Sequence, residues 1–193
     1  MKNVTVSMGK PITAPVLVPV EHKSTPICIN DPFMVDGVCY KVTAMSFGTA
    51  HGAVFVEDVD SVDVATVGEA LGTHKLFPQG ASIVFVQMAE GNPKPTIKAR
   101  VWQYGEGEVL FTPESACVAG TAAMMLQKTL FGEVEVSMGS HTLMVKKERN
   151  DGEILLEFGR YKLLKAGENP ENPIVMATSG EKDFFDYGML IAV

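Results

Sequence analysis

The chain has 193 residues, 46% of them apolar and 20% charged, enough hydrophobic mass to bury a core as one large domain. Sixteen Lys and Arg against 23 Asp and Glu give a net charge of −7, with no basic run and no alternation of Arg with aromatics, which argues against nucleic acid and anionic membranes as partners. No stretch approaches the roughly 18 uninterrupted apolar residues of a membrane span, and MKNVTVSMGK carries no apolar signal segment, so a cytoplasmic protein is expected.

In chain order, strand signals come first. VTVSMG (4–9), PVLVPV (15–20), PICI (26–29), GVCYKVTAMSF (37–47) and GAVFVED (52–58) are short, rich in β-branched residues and bounded by Gly, Pro, Asn or Asp. SVDVATVGEALGTH (61–74) then places Val64, Val67 and Leu71 near helical spacing and predicts an amphipathic surface helix. Two further strands follow, ASIVFVQM (81–88) and TIKARVWQY (96–104), and GEVLF (107–111) reads as a strand end that turns directly into a helix. That helix, 114–130, is apolar around nearly its whole circumference and built from small residues, a pattern tolerated only when protein surrounds it on all sides. Thr112 at the N-cap, Pro113 at N1 and Glu114 at N2 give it a well-capped start, and Gly132 is expected to stop it. EVEVSM (133–138), HTLMVKK (141–147) and EILLEFGRYKLL (153–164) complete the sheet, with Asn150-Asp151-Gly152 predicting a hairpin. The expected fold is α+β: an antiparallel, barrel-like sheet wrapped around a central helix. A polar, proline-bearing link at 167–173 marks the end of a domain over 1–167, leaving 168–193 as linker and strand tail.

Cys28, Cys39 and Cys117 form no C-x-x-C pair, and His22, His51, His74 and His141 show no metal-binding spacing; neither a disulfide nor a metal site is expected.

The order of motifs resembles the C-terminal half of diaminopimelate epimerase. Met45-Ser-Phe-Gly-Thr-Ala-His51 stands where that family has S-M-G-N-P-H, and His74-Lys-Leu-Phe-Pro-Gln-Gly-Ala-Ser-Ile83 resembles H-x-x-F-P-E-x-x-N-V. Arg100-Val-Trp-Gln-Tyr-Gly-Glu-Gly-Glu108 resembles R-V-x-E-R-G-x-G-E, and residues 109–119 resemble T-x-A-C-G-[ST]-G-A-C-A. The resemblance implies cofactor-independent isomerase chemistry, in which two cysteines at the N-termini of two central helices exchange an α-proton and helix-mouth N–H groups hold the substrate carboxylate. Carried over position by position, the catalytic cysteine of this half falls on Thr112 and the glycine-rich mouth on Pro113, Glu114 and Ser115. Proline removes an N–H donor, and Glu114 puts a negative charge where a carboxylate would bind. The substrate asparagines fall on Thr49 and Ser82, and a Glu–Arg pair falls on Gln103 and Tyr104, which removes both charges that address a zwitterion. His51, Phe77, Pro78, Gly105, Gly107 and Glu108 match the family as scaffold; His51 is also the candidate partner for the Thr112 hydroxyl, which needs an activating neighbour to act as a base.

Two functional readings follow. One is a non-catalytic homodimer, binding a small ligand at Thr49, Ser82, Gln103, Tyr104, Glu114 and Ser115 or serving as an interaction module, with a second copy in place of the N-terminal half that the chain lacks. The other is an isomerase or dehydratase of amino-acid metabolism, using Thr112 and His51 in a cleft completed by another chain; no cofactor is expected in either case.

Overall fold

The computed structural model describes residues 4–21, 26–89, 95–129, 132–158, 161–164, 173–174 and 189–192. Its main sheet holds β1 (Val4–Ser7), β2 (Asp31–Val35), β3 (Val38–Ser46), β4 (Ala50–Phe55), β5 (Ser82–Ala89), β6 (Thr96–Gln103), β7 (Gly107–Val109), β8 (Glu133–Met138), β9 (His141–Lys147) and β10 (Ile154–Phe158). The order is β1-β10-β9-β8-β6-β5-β4-β3-β2, with β7 paired to β6. Helix α1 (Val64–Gly72) connects β4 to β5 and helix α2 (Pro113–Met125) connects β7 to β8. The α+β class and the wrapped central helix are as expected. Two neighbours, β4·β5 and β6·β8, are parallel rather than antiparallel, because a helical crossover returns the chain to the same end of the sheet.

The sheet curls around α2, which packs against β3, β4, β5, β6, β8, β9 and β10. Val84, Val86, Ala99, Val101, Val134, Val136 and Val145 face it and form one core with Ala116 to Ala119 and Ala122. The opposite face of β3 to β6 packs on α1 through Val42, Val54, Ile83, Phe85 and Trp102. Burial on both faces explains why β5 reads Ser-Ile-Val-Phe-Val without alternation. On α1, Gly68 and Gly72 face Trp102, where an added Cβ would fall 2.4 Å from its Cβ and 2.3 Å from its indole Cζ3 respectively.

Three local expectations are corrected. PVLVPV is not a strand: Val18 N–H and Val20 N–H donate to the Ala14 and Pro15 carbonyls in a helical turn that buries Val18 and Val20, and Pro15 and Pro19 have no N–H to give a ladder. PICI is likewise irregular, fixed where Ala44 N–H donates to the Cys28 carbonyl. Helix α2 ends at Met125, well before Gly132. Gln127 takes the left-handed conformation (φ 54°), and Lys128 N–H and Gln127 N–H close onto the Ala123 and Met124 carbonyls in a Schellman arrangement. His22 and Leu130 lie outside the described residues, as does most of 165–193. Within that tail, β12 (Pro173–Ile174) and β13 (Met189–Ala192) form a small sheet with β11 (Tyr161–Leu164), in the order β11-β13-β12.

Candidate functional site

Every residue nominated from the sequence lies at one end of the sheet. β6 and β8 are parallel, so Gln103 and Met138, their last residues, share that end; β4 and β5 begin there with His51 and Ser82 in register. Apart from His51, the nominated residues form two groups.

The first group is the mouth of α2. Thr112 is the N-cap, with extended backbone (φ −136°, ψ 147°), followed by Pro113 at N1. Its hydroxyl donates to Ser115 Oγ at 2.8 Å and accepts Ser115 N–H at 3.1 Å, while Thr112 N–H donates to Ser115 Oγ at 3.2 Å. The Ser115 hydroxyl itself is within reach of the Thr112 carbonyl (2.8 Å) and Met138 Sδ (3.7 Å), and Ser115 is fully buried. This reciprocal capping box uses the Thr112 N–H, Thr112 hydroxyl and Ser115 N–H donors that could otherwise serve an anion. Phe111, just before the cap, stacks on His141 with centroids 5.1 Å apart.

Glu114 is half-buried at N2, and burial pushes its carboxyl up from its ordinary value against the pull of its own backbone N–H. A raised carboxyl means that the folded chain holds this proton more tightly than the unfolded chain does. The stability it contributes is therefore complete below 4.5, its ordinary value, and lost as pH rises through the folded value. Glu114→Gln is expected to raise the melting temperature at about pH 7 and to leave it unchanged at about pH 4; a lower melting temperature at neutral pH contradicts this. Cys117, one turn further, is fully buried, and its thiol is pushed up by desolvation and then by the Glu114 charge, the opposite of an activated thiolate.

His51 is 3% exposed and its Nδ1 donates to the Thr49 carbonyl at 2.9 Å, so that nitrogen carries the proton. Burial outweighs this bond and pushes the imidazole down, keeping it neutral. The expected pairing with Thr112 is not formed: the hydrogen bonds of the Thr112 side chain all go to Ser115, and that of the His51 ring goes to Thr49.

The second group is a pocket of about 410 Å³ into which Thr49, Ser82, Gln103 and Tyr104 all open. Ser82 Oγ accepts Tyr104 N–H at 3.1 Å, and Gln103 Nε2 donates to Glu106 at 3.0 Å. The Tyr104 ring lies over Gly80, where φ is +77° and a Cβ would fall 2.2 Å from the ring; only glycine satisfies both conditions. Thr112, Glu114, Ser115 and His51 do not line this pocket. Sequence reading missed Ser46, Gln79 and Leu17, which do. Gln79 lies inside the H-K-L-F-P-Q-G stretch and was within reach; Leu17 comes from a loop that carries no motif. Arg100 and Glu108 pair at 2.7 Å, and Arg100 also donates to the Val59 and Val62 carbonyls, tying β6 and β7 to the entrance of α1 and giving both residues a scaffold role.

Among the described residues, no group of three or more His, Cys, Asp or Glu side chains is placed to hold a metal, and no helix is long and apolar enough to cross a membrane.

A sheet curled about a buried helix is a fold that this chain shares with a solved epimerase structure. A hydroxyproline epimerase from Agrobacterium vitis, with bound trans-4-hydroxy-L-proline, superposes with a TM-score of 0.50 at 12% identity, over 82% of this chain and 49% of that one. The diaminopimelate epimerase family model matches residues 43–164, and the chain belongs to that family. The diaminopimelate epimerase of Leptospira biflexa is 33% identical over 147 residues, 76% of this chain and 51% of its own length; that of Acetivibrio thermocellus is 34% identical over 134 residues, 69% of this chain and 45% of its own. The chain thus spans about half the length of the curated relatives it matches.

Proposed function

We propose that this chain is a non-catalytic member of its family, a domain over 1–167 that binds an uncharged small molecule and associates with a second copy of itself. The observation that carries the reading is the capping box: the position that a family cysteine would hold is Thr112, whose hydroxyl is committed to Ser115 on both its donor and acceptor sides. A threonine hydroxyl so engaged, with no hydrogen bond to an imidazole, does not abstract an α-proton. The experiment is exchange of solvent deuterium into Cα of amino-acid substrates, and none is expected.

Self-association is supported by apolar side chains left open at the same end of the sheet. Leu17 is 63% exposed, Tyr104 51% and Leu110 78%, the last beside the β8–β9 turn at Gly139. Together they mark a face suited to a two-fold partner that would close over the pocket. Sedimentation at micromolar concentration is expected to give twice the chain mass of 20.8 kDa. A monomer at high micromolar concentration contradicts this.

The same exposed face favours a second reading, in which a different chain completes the cleft and supplies the acid–base groups of an isomerase or dehydratase. Co-expression with a chain resembling the other half of the family, yielding a stable complex with turnover, would select it.

A further inference from the structure

The composition of the pocket narrows its ligand. None of its lining residues is Asp, Glu, Lys, Arg or His. A carboxylate, ammonium or phosphate placed there would lose its hydration without gaining a charge partner. A wholly apolar ligand would instead cover the hydroxyls of Ser46 and Thr49 and the amide of Gln79, and would return no hydrogen bond to the capacity that Ser82 and Gln103 keep beyond their bonds with Tyr104 N–H and Glu106. What satisfies the wall is a neutral molecule dense in groups that both donate and accept. Ser46 and Ser82 are 5% and 7% exposed, so their hydroxyls are set into the wall rather than waving in solvent. The bond from Tyr104 N–H uses a Ser82 lone pair and leaves its hydrogen to donate.

One flank is different. Tyr104 presents a half-exposed ring whose position is fixed by Gly80 beneath it and by an edge-on contact with Trp102 at 6.2 Å, and Leu17 stands on the same rim. A rigid aromatic plate beside hydroxyls and amides suits a ring that is apolar on its C–H face and hydroxylated at its edge. We infer that the pocket at the open ends of β3 to β6 binds an uncharged cyclic polyol of the sugar class. The inference rests on the reading of the chain as a binder, and it is tested without reference to catalysis.

Trp102 is the sole tryptophan of the chain and touches Tyr104, so its emission reports on the pocket. The protein is titrated with D-glucose, D-galactose, D-ribose and myo-inositol, and with D-glucuronate and D-glucosamine as charged counterparts of the same ring. At least one neutral compound is expected to give a saturable change in Trp102 emission. D-Glucuronate and D-glucosamine, and that neutral compound on Tyr104→Ala and Gln103→Ala variants of unchanged melting temperature, should bind at least tenfold more weakly. The variants are followed by two-dimensional NMR, since Tyr104→Ala also alters the reporter. Three results overturn the inference: no saturable response to any of the four neutral compounds, charged counterparts that bind as tightly, or folded variants that bind unchanged. Deuterium exchange into an amino acid, by contrast, would overturn the non-catalytic reading alone, so the two failures are distinguishable.

Discussion

Ala119→Asp is expected to abolish folding. Ala119 is fully buried near the middle of α2, in the core formed with Val84, Val134, Val145 and the other inward residues of the curled sheet. A helix enclosed on all sides offers a new carboxylate no route to water, and among the described residues no Lys or Arg is buried to pair with it. Burying an unpaired charge costs on the order of several kcal/mol, a large part of the roughly 5–15 kcal/mol that holds a typical domain together. The expected outcome is insoluble protein, or a chain with no cooperative thermal transition. A soluble Ala119→Asp variant with a transition near that of the wild type contradicts the central-helix architecture.

Gly120→Val is expected to be nearly as damaging, for a steric rather than an electrostatic reason. A Cβ at position 120 would lie 2.7 Å from Val145 Cβ and Cγ1 and 3.1 Å from Val134 Cγ1. Val145 Cβ is anchored directly to β9 and cannot swing aside, so accommodating even one methyl requires α2 and the sheet to separate. Overpacking of this kind costs about 1–3 kcal/mol for added methylenes, and valine brings two further methyl groups. Chemical denaturation should show a midpoint well below that of the wild type, with Gly120→Ala between the two. A variant as stable as the wild type would mean that α2 does not approach β8 and β9 this closely.

The helix that carries these two residues is partly legible in the sequence. The burial of α2 was legible because its apolarity has no polar face, and its start was legible because Thr112 and Pro113 satisfy the first orphan N–H positions in a way that depends on local chemistry alone. Its end was not: Gln127 adopts a left-handed conformation that glycine or asparagine usually supplies, so Gly132 appeared the better stop. PVLVPV failed for a related reason. Its valines have strand propensity, but Val18 and Val20 are drawn inward by the core beside α1, and two prolines deny the segment a ladder. The strand Asp31–Val35 was overlooked because Asp-Pro reads as a turn; as the edge strand of the sheet, it can carry a proline. At the site, motif comparison reached Thr49, Ser82, Gln103 and Tyr104, which do converge. It could not separate that pocket from the α2 mouth, because the separation depends on which side chains the curled sheet turns inward. Nor could it foresee that the Thr112 and Ser115 side chains would satisfy one another.

The measurement that bears most directly on the proposed absence of acid–base function is deuterium incorporation at Cα. Purified chain is incubated in deuterium oxide with diaminopimelate, alanine or proline, and the amino acids are analysed by mass spectrometry against a heat-killed control. No incorporation by the wild type is expected. None is expected from Thr112→Cys either, since Pro113 and Glu114 still occupy the helix mouth. Incorporation above the control by the wild-type chain, abolished in Thr112→Ala, would contradict the non-catalytic reading.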